Sequence, residues 1–332
     1  MPSRCHRPDV MTTREGTPRR VGVEIEISGL GFGALVALTG RLLNGTTTTV
    51  GRYVSRIDTG LGEFTVELDS DPIKDLDLKD ERIPESLREL GGHAMEVIDF
   101  AAERLVPLEI VSPPVPFDQL ETIESLCDRL REAGAVGSRE AIIYAFGLQL
   151  NPELPDLEAD TLRRYLQTFA ALYDWLKARH QLDFSRKLTT YIEPWSGRYV
   201  DRLVAADYAP DMEGLMRDYL ADNPTRNRAL DLLPLFAHLD AGLLAEYVED
   251  PRIKSRPTLH YRLPDCDIDN PRWHFSTVWN DWVILEQIVA DPARQRELND
   301  LFRESRSLLS FRNLTSTWRS RCQHWLENRG YV

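Results

Sequence analysis

At residue 21 the chain changes character: Val21, Val23, Ile25 and Ile27 alternate with Gly22, Glu24, Glu26 and Ser28. A period of two sends the apolar side chains to one side of an extended backbone and the polar ones to the other, which is the signature of a half-buried strand. The pattern returns at Phe64, Val66 and Leu68 against Thr65, Glu67 and Asp69, and at Leu108 and Ile110 against Glu109 and Val111. It returns again at Phe146, Leu148 and Leu150 against Gly147, Gln149 and Asn151, where Pro152, lacking an N–H, ends the ladder. These segments need a sheet with one covered face and leave a second, polar face to be explained.

Helical spacing fills the gaps. Leu35, Leu38 and Leu42 follow the first strand; Leu87, Leu90, Val97 and Ile98 precede the third; Leu120, Ile123, Cys127 and Leu130 follow it. A longer helix is expected over 160–179, with Leu162, Leu166, Phe169, Leu172, Tyr173 and Leu176 inward, and then a strand-like Leu188, Thr190 and Ile192. Beyond this the chain reads as mostly helical, with one good strand over 258–263. Residues 191–210 carry turn formers and read either as a loop beside a site or as a plain connection. No internal repeat or long linker divides the chain, so the expectation is an α+β fold: a basic, proline-containing leader over residues 1–20 that packs poorly, then a single domain over 21–332 with a mostly helical second half.

Charge narrows the function classes. Forty Lys and Arg against 53 Asp and Glu give a formal charge of −13, which repels nucleic acid and anionic membrane surfaces. No apolar run approaches the roughly 20 residues that span a bilayer. The four cysteines are far apart and form no metal or redox pair, which fits a reducing cytoplasm. Trp273, Trp279, Trp282, Trp318 and Trp325 read as helix-packing residues.

The polar faces carry the candidate chemistry. Glu24 and Glu26 lie two residues apart on one strand face, about 6.6 Å between Cα atoms, and Glu67 and Glu109 hold the same kind of position on two other strands. An isolated pair of this kind is better explained by the solvated side of an amphipathic strand. Four carboxylates on one surface repel unless cations or basic groups compensate them, provided the strands are neighbours. Asp58 and Asp69 are lesser candidates, equally well read as a turn residue and a strand end.

Several of these segments resemble those of the amidoligase family, within the wider group that includes glutamine synthetase and glutamate-cysteine ligase. Residues 21–26, V-G-V-E-I-E, look like the family's G-x-E-x-E strand, and 108–114, L-E-I-V-S-P-P, like its more specific E-x-x-S-P-P segment. Asp58, Thr59, Gly60 and Leu61 resemble a D-G-S-L turn with the order altered. Residues 146–151 look like the G-x-H-x-[HN] strand with Gln149 where histidine is usual, and 257–262 like a T-x-E-[FY]-R strand with His260 where glutamate is usual and Arg262 retained.

The resemblance samples residues 21–263. It implies a glutamine-synthetase-like antiparallel sheet with an acidic face, flanked by helices, and a carboxylate–amine ligase that uses ATP and Mg2+, or Mn2+, through an acyl phosphate. Glu24, Glu26, Glu67 and Glu109 are then the expected metal ligands, with Gln149 able to offer an amide oxygen to metal or an amide N–H to phosphate but no imidazole. Arg262 is the expected clamp on phosphate or substrate carboxylate, followed by Arg226 and Arg228; for each, a surface ion pair is the competing reading. The substrates would be a small-molecule or peptide carboxylate and an amine. Gln149 and His260 also keep open a degenerate relative that binds nucleotide or peptide without turnover, and a phosphotransferase on the same scaffold is a third reading.

Overall fold

The computed structural model describes residues 4–68, 107–138, 146–180, 192–307 and 314–332. Its centre is a nine-stranded, open, antiparallel sheet. The strands are β1 (Arg20–Ile27), β2 (Thr46–Gly51), β3 (Val54–Thr59), β4 (Gly62–Leu68), β5 (Leu108–Val111), β6 (Val115–Pro116), β7 (Leu148–Pro152), β8 (Leu230–Asp231) and β9 (His260–Tyr261), in the order β2-β3-β4-β5-β1-β7-β9-β8, with β6 beside β1. The helices among the described residues are α1 (Phe32–Leu42), α2 (Glu121–Glu132), α3 (Ala159–Arg179), α4 (Gly197–Leu203), α5 (Met212–Asp222), α6 (Leu233–Leu239), α7 (Ala241–Ala245), α8 (Phe275–Ala290), α9 (Pro292–Ser307) and α10 (Leu314–Asn328).

The alternation in the sequence becomes the two faces of this sheet. Val21, Val23, Ile25, Phe64, Val66, Ile110, Leu148, Leu150 and Tyr261 are fully buried or nearly so. Helix α1 packs on β2, β3 and β4, while α3 forms the hub of the helical side, touching α8, α9 and α10. Its Leu162, Leu166, Phe169, Leu172 and Leu176 are buried at the expected spacing, with Asp160 in the first turn and Lys177 and Arg179 in the last, in favourable senses with respect to the helix dipole. Trp279, Trp282, Trp318 and Trp325 are buried between helices and Trp273 packs partly buried against them.

The leader differs from its expectation. Residues 4–19 run along the domain: Cys5 is buried, Thr12 bridges Pro18, and Cys5 N donates to Glu121. Arg19 anchors the stretch from inside, its guanidinium donating to Glu286 at 2.8 and 2.9 Å and to the Val10 carbonyl at 2.8 Å. Composition alone could not show that one arginine of a basic stretch has a buried carboxylate waiting 267 positions away. One more detail lay outside the periodicity. Residues 197–203 of the stretch read as loop or connection form α4, capped by Ser196 accepting from Tyr199 N. The expected helix near 87–98, Asp69, Leu188 and Thr190 lie outside the described residues.

No helix among the described residues is long and apolar enough to cross a membrane.

Candidate functional site

Strand order turns separate polar positions into one surface. In the antiparallel register Glu67 lies opposite Glu109, and Glu109 lies opposite Glu26, so three carboxylates occupy one row across β4, β5 and β1. Directly opposed residues have Cβ atoms about 5 Å apart. Glu24, two residues along β1, lies opposite Gln149 of β7. Glu26 and Glu109 are only 8% and 7% exposed, so the charges sit in a partly dehydrated surface where repulsion is weakly screened. Backbone and amide donors meet part of that charge: Gly147 N donates to Glu26 Oε2 at 2.7 Å, Gln149 Nε2 to Glu26 Oε1 at 2.6 Å, and Asn151 Nδ2 to Glu24 Oε1 at 2.8 Å. Gly147 is a position of close approach, since a Cβ there would stand 3.3 Å from Glu26 Oε1.

Further along the same face the sign of the charge reverses. Asp231 of β8 lies opposite His260 of β9, and Arg226, Arg256 and Arg262 act electrostatically on both. Burial pushes the Asp231 carboxyl up to about 6, against the pull of the Leu233 N–H and the three guanidinium groups. His260 is held well below its ordinary range by burial first and then by Arg262, Arg256 and Arg226, so it is neutral. Burial and Arg262 likewise lower Arg226. Among the described residues, Arg256 Nε and Arg262 Nε are buried without a hydrogen-bond partner. Buried cationic donors left open are costly, and an anion's oxygens would satisfy them. From β5 to β8 the face spans four strand spacings of about 4.8 Å, roughly 19 Å.

Most of the expected site residues therefore share this face: Glu67, Glu109, Glu26 and Glu24 at one end, Gln149 between, Arg226 and Arg262 at the other. Arg228 does not join them. It donates to Glu193 at 2.6 Å and to Asn223 at 3.0 Å, bracing the parallel bridge between residues 193 and 228. Arg256 was not anticipated, although it reaches Glu24 at 3.5 Å and His260 at 2.6 Å. It lies before β9 with no periodic partner, so no spacing rule marks it. Asp58 is exposed on β3, paired in register with Glu63.

The sheet carboxylates form an open row, all-oxygen in character, which suits a hard cation that takes phosphate and water as its remaining ligands. A different group brings its ligand atoms within 4.8 Å of one another: Glu124, Asp128 and His274. There Arg4 already supplies the positive charge, with Nη1 2.9 Å from Glu124 Oε1 and Nη2 bonded to Asp128, and Ser276 N donates to Glu124 Oε2 at 2.6 Å. That cluster fastens residue 4 to α2 and the start of α8.

The antiparallel sheet thus carries an acidic zone and a basic zone on one face. The chain belongs to the amidoligase family: a family model described as "putative amidoligase enzyme" matches residues 17–284, which hold every residue of both zones. A comparison with curated proteins finds no match.

Proposed function

We propose that the protein is an ATP- and magnesium-dependent ligase that joins a carboxylate to an amine on a glutamine-synthetase-like sheet. The observation that carries this reading is the polarity of one face: the Glu67, Glu109, Glu26 row at one end and Arg226, Arg256 and Arg262, with two buried Nε–H groups open, at the other. Glu24, Glu26, Glu67 and Glu109 would hold the metal, Mg2+ or Mn2+, whose positive charge offsets that of the phosphates when bound. Arg262 and Arg226, with Arg256, would hold phosphate or substrate carboxylate.

In this reading an oxygen of the substrate carboxylate attacks the γ-phosphorus of ATP, the bond to the ADP oxygen breaks, and an acyl phosphate forms. The amine then attacks the acyl carbon, phosphate leaves with the C–O electron pair, and the nitrogen loses a proton to give the amide. The side chains position the reactants and stabilise charge; guanidinium groups fixed by the sheet need little reorganisation as charge moves onto the transferring oxygens. Gln149 has its amide N–H committed to Glu26, so it acts here by orienting a carboxylate, in place of the imidazole usual at that position. The free thiols of the four buried cysteines support a cytoplasmic setting.

Product analysis tests this. Incubation with ATP, Mg2+ and panels of acids and amines should yield ADP, phosphate and an amide. A phosphorylated acceptor without amide would make the protein a phosphotransferase, and tight nucleotide binding without turnover would make it a binding protein.

A further inference from the structure

Gln149 and His260, the two positions at which the chain departs from the segments it resembles, touch each other. His260 Nε2 lies 2.7 Å from Gln149 Oε1, Gln149 Nε2 donates to Glu26 Oε1 at 2.6 Å, and Arg256 Nη2 lies 2.6 Å from His260 Nδ1. The ends of this chain fix its direction. A guanidinium can only donate and a carboxylate only accept, whereas imidazole and amide can each do both. Because Glu26 accepts, Gln149 must turn its NH2 toward it and its oxygen toward His260. His260 must then donate through Nε2, and its bare Nδ1 accepts from Arg256. Each link forces the next, and all the middle groups are buried: His260 is 2% exposed and Gln149 7%.

We infer that His260 is a positioning residue, which, held by Arg256 as the Nε2–H tautomer, aims the Gln149 amide N–H at Glu26 and so orients that carboxylate for a cation. The identity of Glu26 as a cation ligand rests on the ligase reading; the direction of the relay does not. With Gly147 N on Oε2 and Gln149 Nε2 on Oε1, both Glu26 oxygens are steered by donors fixed on β7 and the residue before it. Partners that orient a ligand in this way usually carry about 10–100-fold of metal affinity. An acceptor-only group at 260 would turn the relay around: Gln149 would give its NH2 to residue 260 and push its oxygen against Glu26.

The experiment has two arms on the full chain. In the first, 15N-histidine labelling and nuclear magnetic resonance read the His260 tautomer at neutral pH without metal; Nε2–H is expected, and Nδ1–H or imidazolium overturns the relay. In the second, Mn2+ binding followed by electron paramagnetic resonance compares four variants. His260→Gln keeps an acceptor for Arg256 and a donor for Gln149 and should bind close to wild type. His260→Glu and His260→Met should each lose about 10–100-fold. Gln149→Leu, which removes the donor to Glu26 itself, should lose at least as much. A folded His260→Glu or His260→Met with wild-type affinity overturns the inference, as does His260→Gln binding as weakly as they do. If wild type binds no Mn2+, the ligase reading fails and the tautomer alone decides the relay.

Discussion

Glu109 stands directly opposite Glu26 across the β1–β5 ladder, and both carboxylates are largely withdrawn from water. Like charges so placed work against the sheet by roughly 0.2–1 kcal/mol for a cross-strand pair. Glu109 also faces Glu67 on its other side, so it stands between two carboxylates of the row. Glu109→Gln should therefore match or exceed wild type in stability by about 0.5 kcal/mol in chelator. With Mg2+ or Mn2+ added, wild type should gain stability by mass action and the variant much less. Thermal melts with and without the ion check both halves.

At the basic end, Arg262→Lys keeps the charge and loses the planar, two-point contact with oxygen. Turnover should fall by about 10²-fold, as when one preorganised electrostatic donor is removed, while ATP affinity changes less. Single-turnover amide formation and nucleotide titration separate the two. Unchanged chemistry in a folded variant would remove Arg262 from the reaction.

Away from the polar face, the Arg19–Glu286 pair is a stability test. Both side chains are buried, with Tyr165 OH donating to Glu286 at 2.6 Å and Trp282 Nε1 at 3.0 Å. Arg19→Met strands a buried carboxylate and should cost about 3–5 kcal/mol. Replacing both, Arg19→Met with Glu286→Leu, should recover part of that loss, though it leaves the Tyr165 and Trp282 donors open. Denaturant unfolding reads each value.

Asp281 supplies a pH signature. Burial raises its carboxyl to about 6 against the pull of Arg179. The folded state thus holds this proton more tightly than the unfolded chain does, so the contribution of Asp281 to stability declines as pH rises from about 4 to about 6 and stays low above that. Asp281→Asn should remove this decline. Its stability relative to wild type should be greater at pH 7 than at pH 4 by up to about 3 kcal/mol. Parallel melts of the two proteins across that range decide it.

The sequence shows the faces of strands and hides their order. Period-two alternation placed Glu24, Glu26, Glu67 and Glu109 on polar faces because side-chain direction along a strand is a local property. That β5 inserts between β4 and β1, bringing Glu67, Glu109 and Glu26 into one row, depends on long-range pairing that no local pattern records. The β2–β3 hairpin escaped notice for a related reason: Thr46–Gly51 is an edge strand exposed along nearly its whole length, so it has no apolar face to alternate. Strand β8 is two residues long, too short for any period, whereas β9 falls inside the strand expected over 258–263 and keeps only two residues of it. Arg226 and Arg228 look equivalent in sequence, yet the bridge at Glu193 takes Arg228 and leaves Arg226 with Arg262. Arg256 sits outside every strand and could be found only once the sheet brought His260 and Glu24 within its reach.

The central claim, that the acidic row and the basic zone together receive a metal–nucleotide pair, is tested most directly by calorimetric titration of ATP with Mg2+ and with excess chelator. Bare ATP meets Glu24, Glu26, Glu67 and Glu109 as like charges, and Mg2+ reverses that interaction. The account predicts binding with Mg2+ and at least about 10-fold weaker binding with chelator, since 1.4 kcal/mol of unrelieved repulsion suffices for that factor. Equal affinity under the two conditions would contradict it.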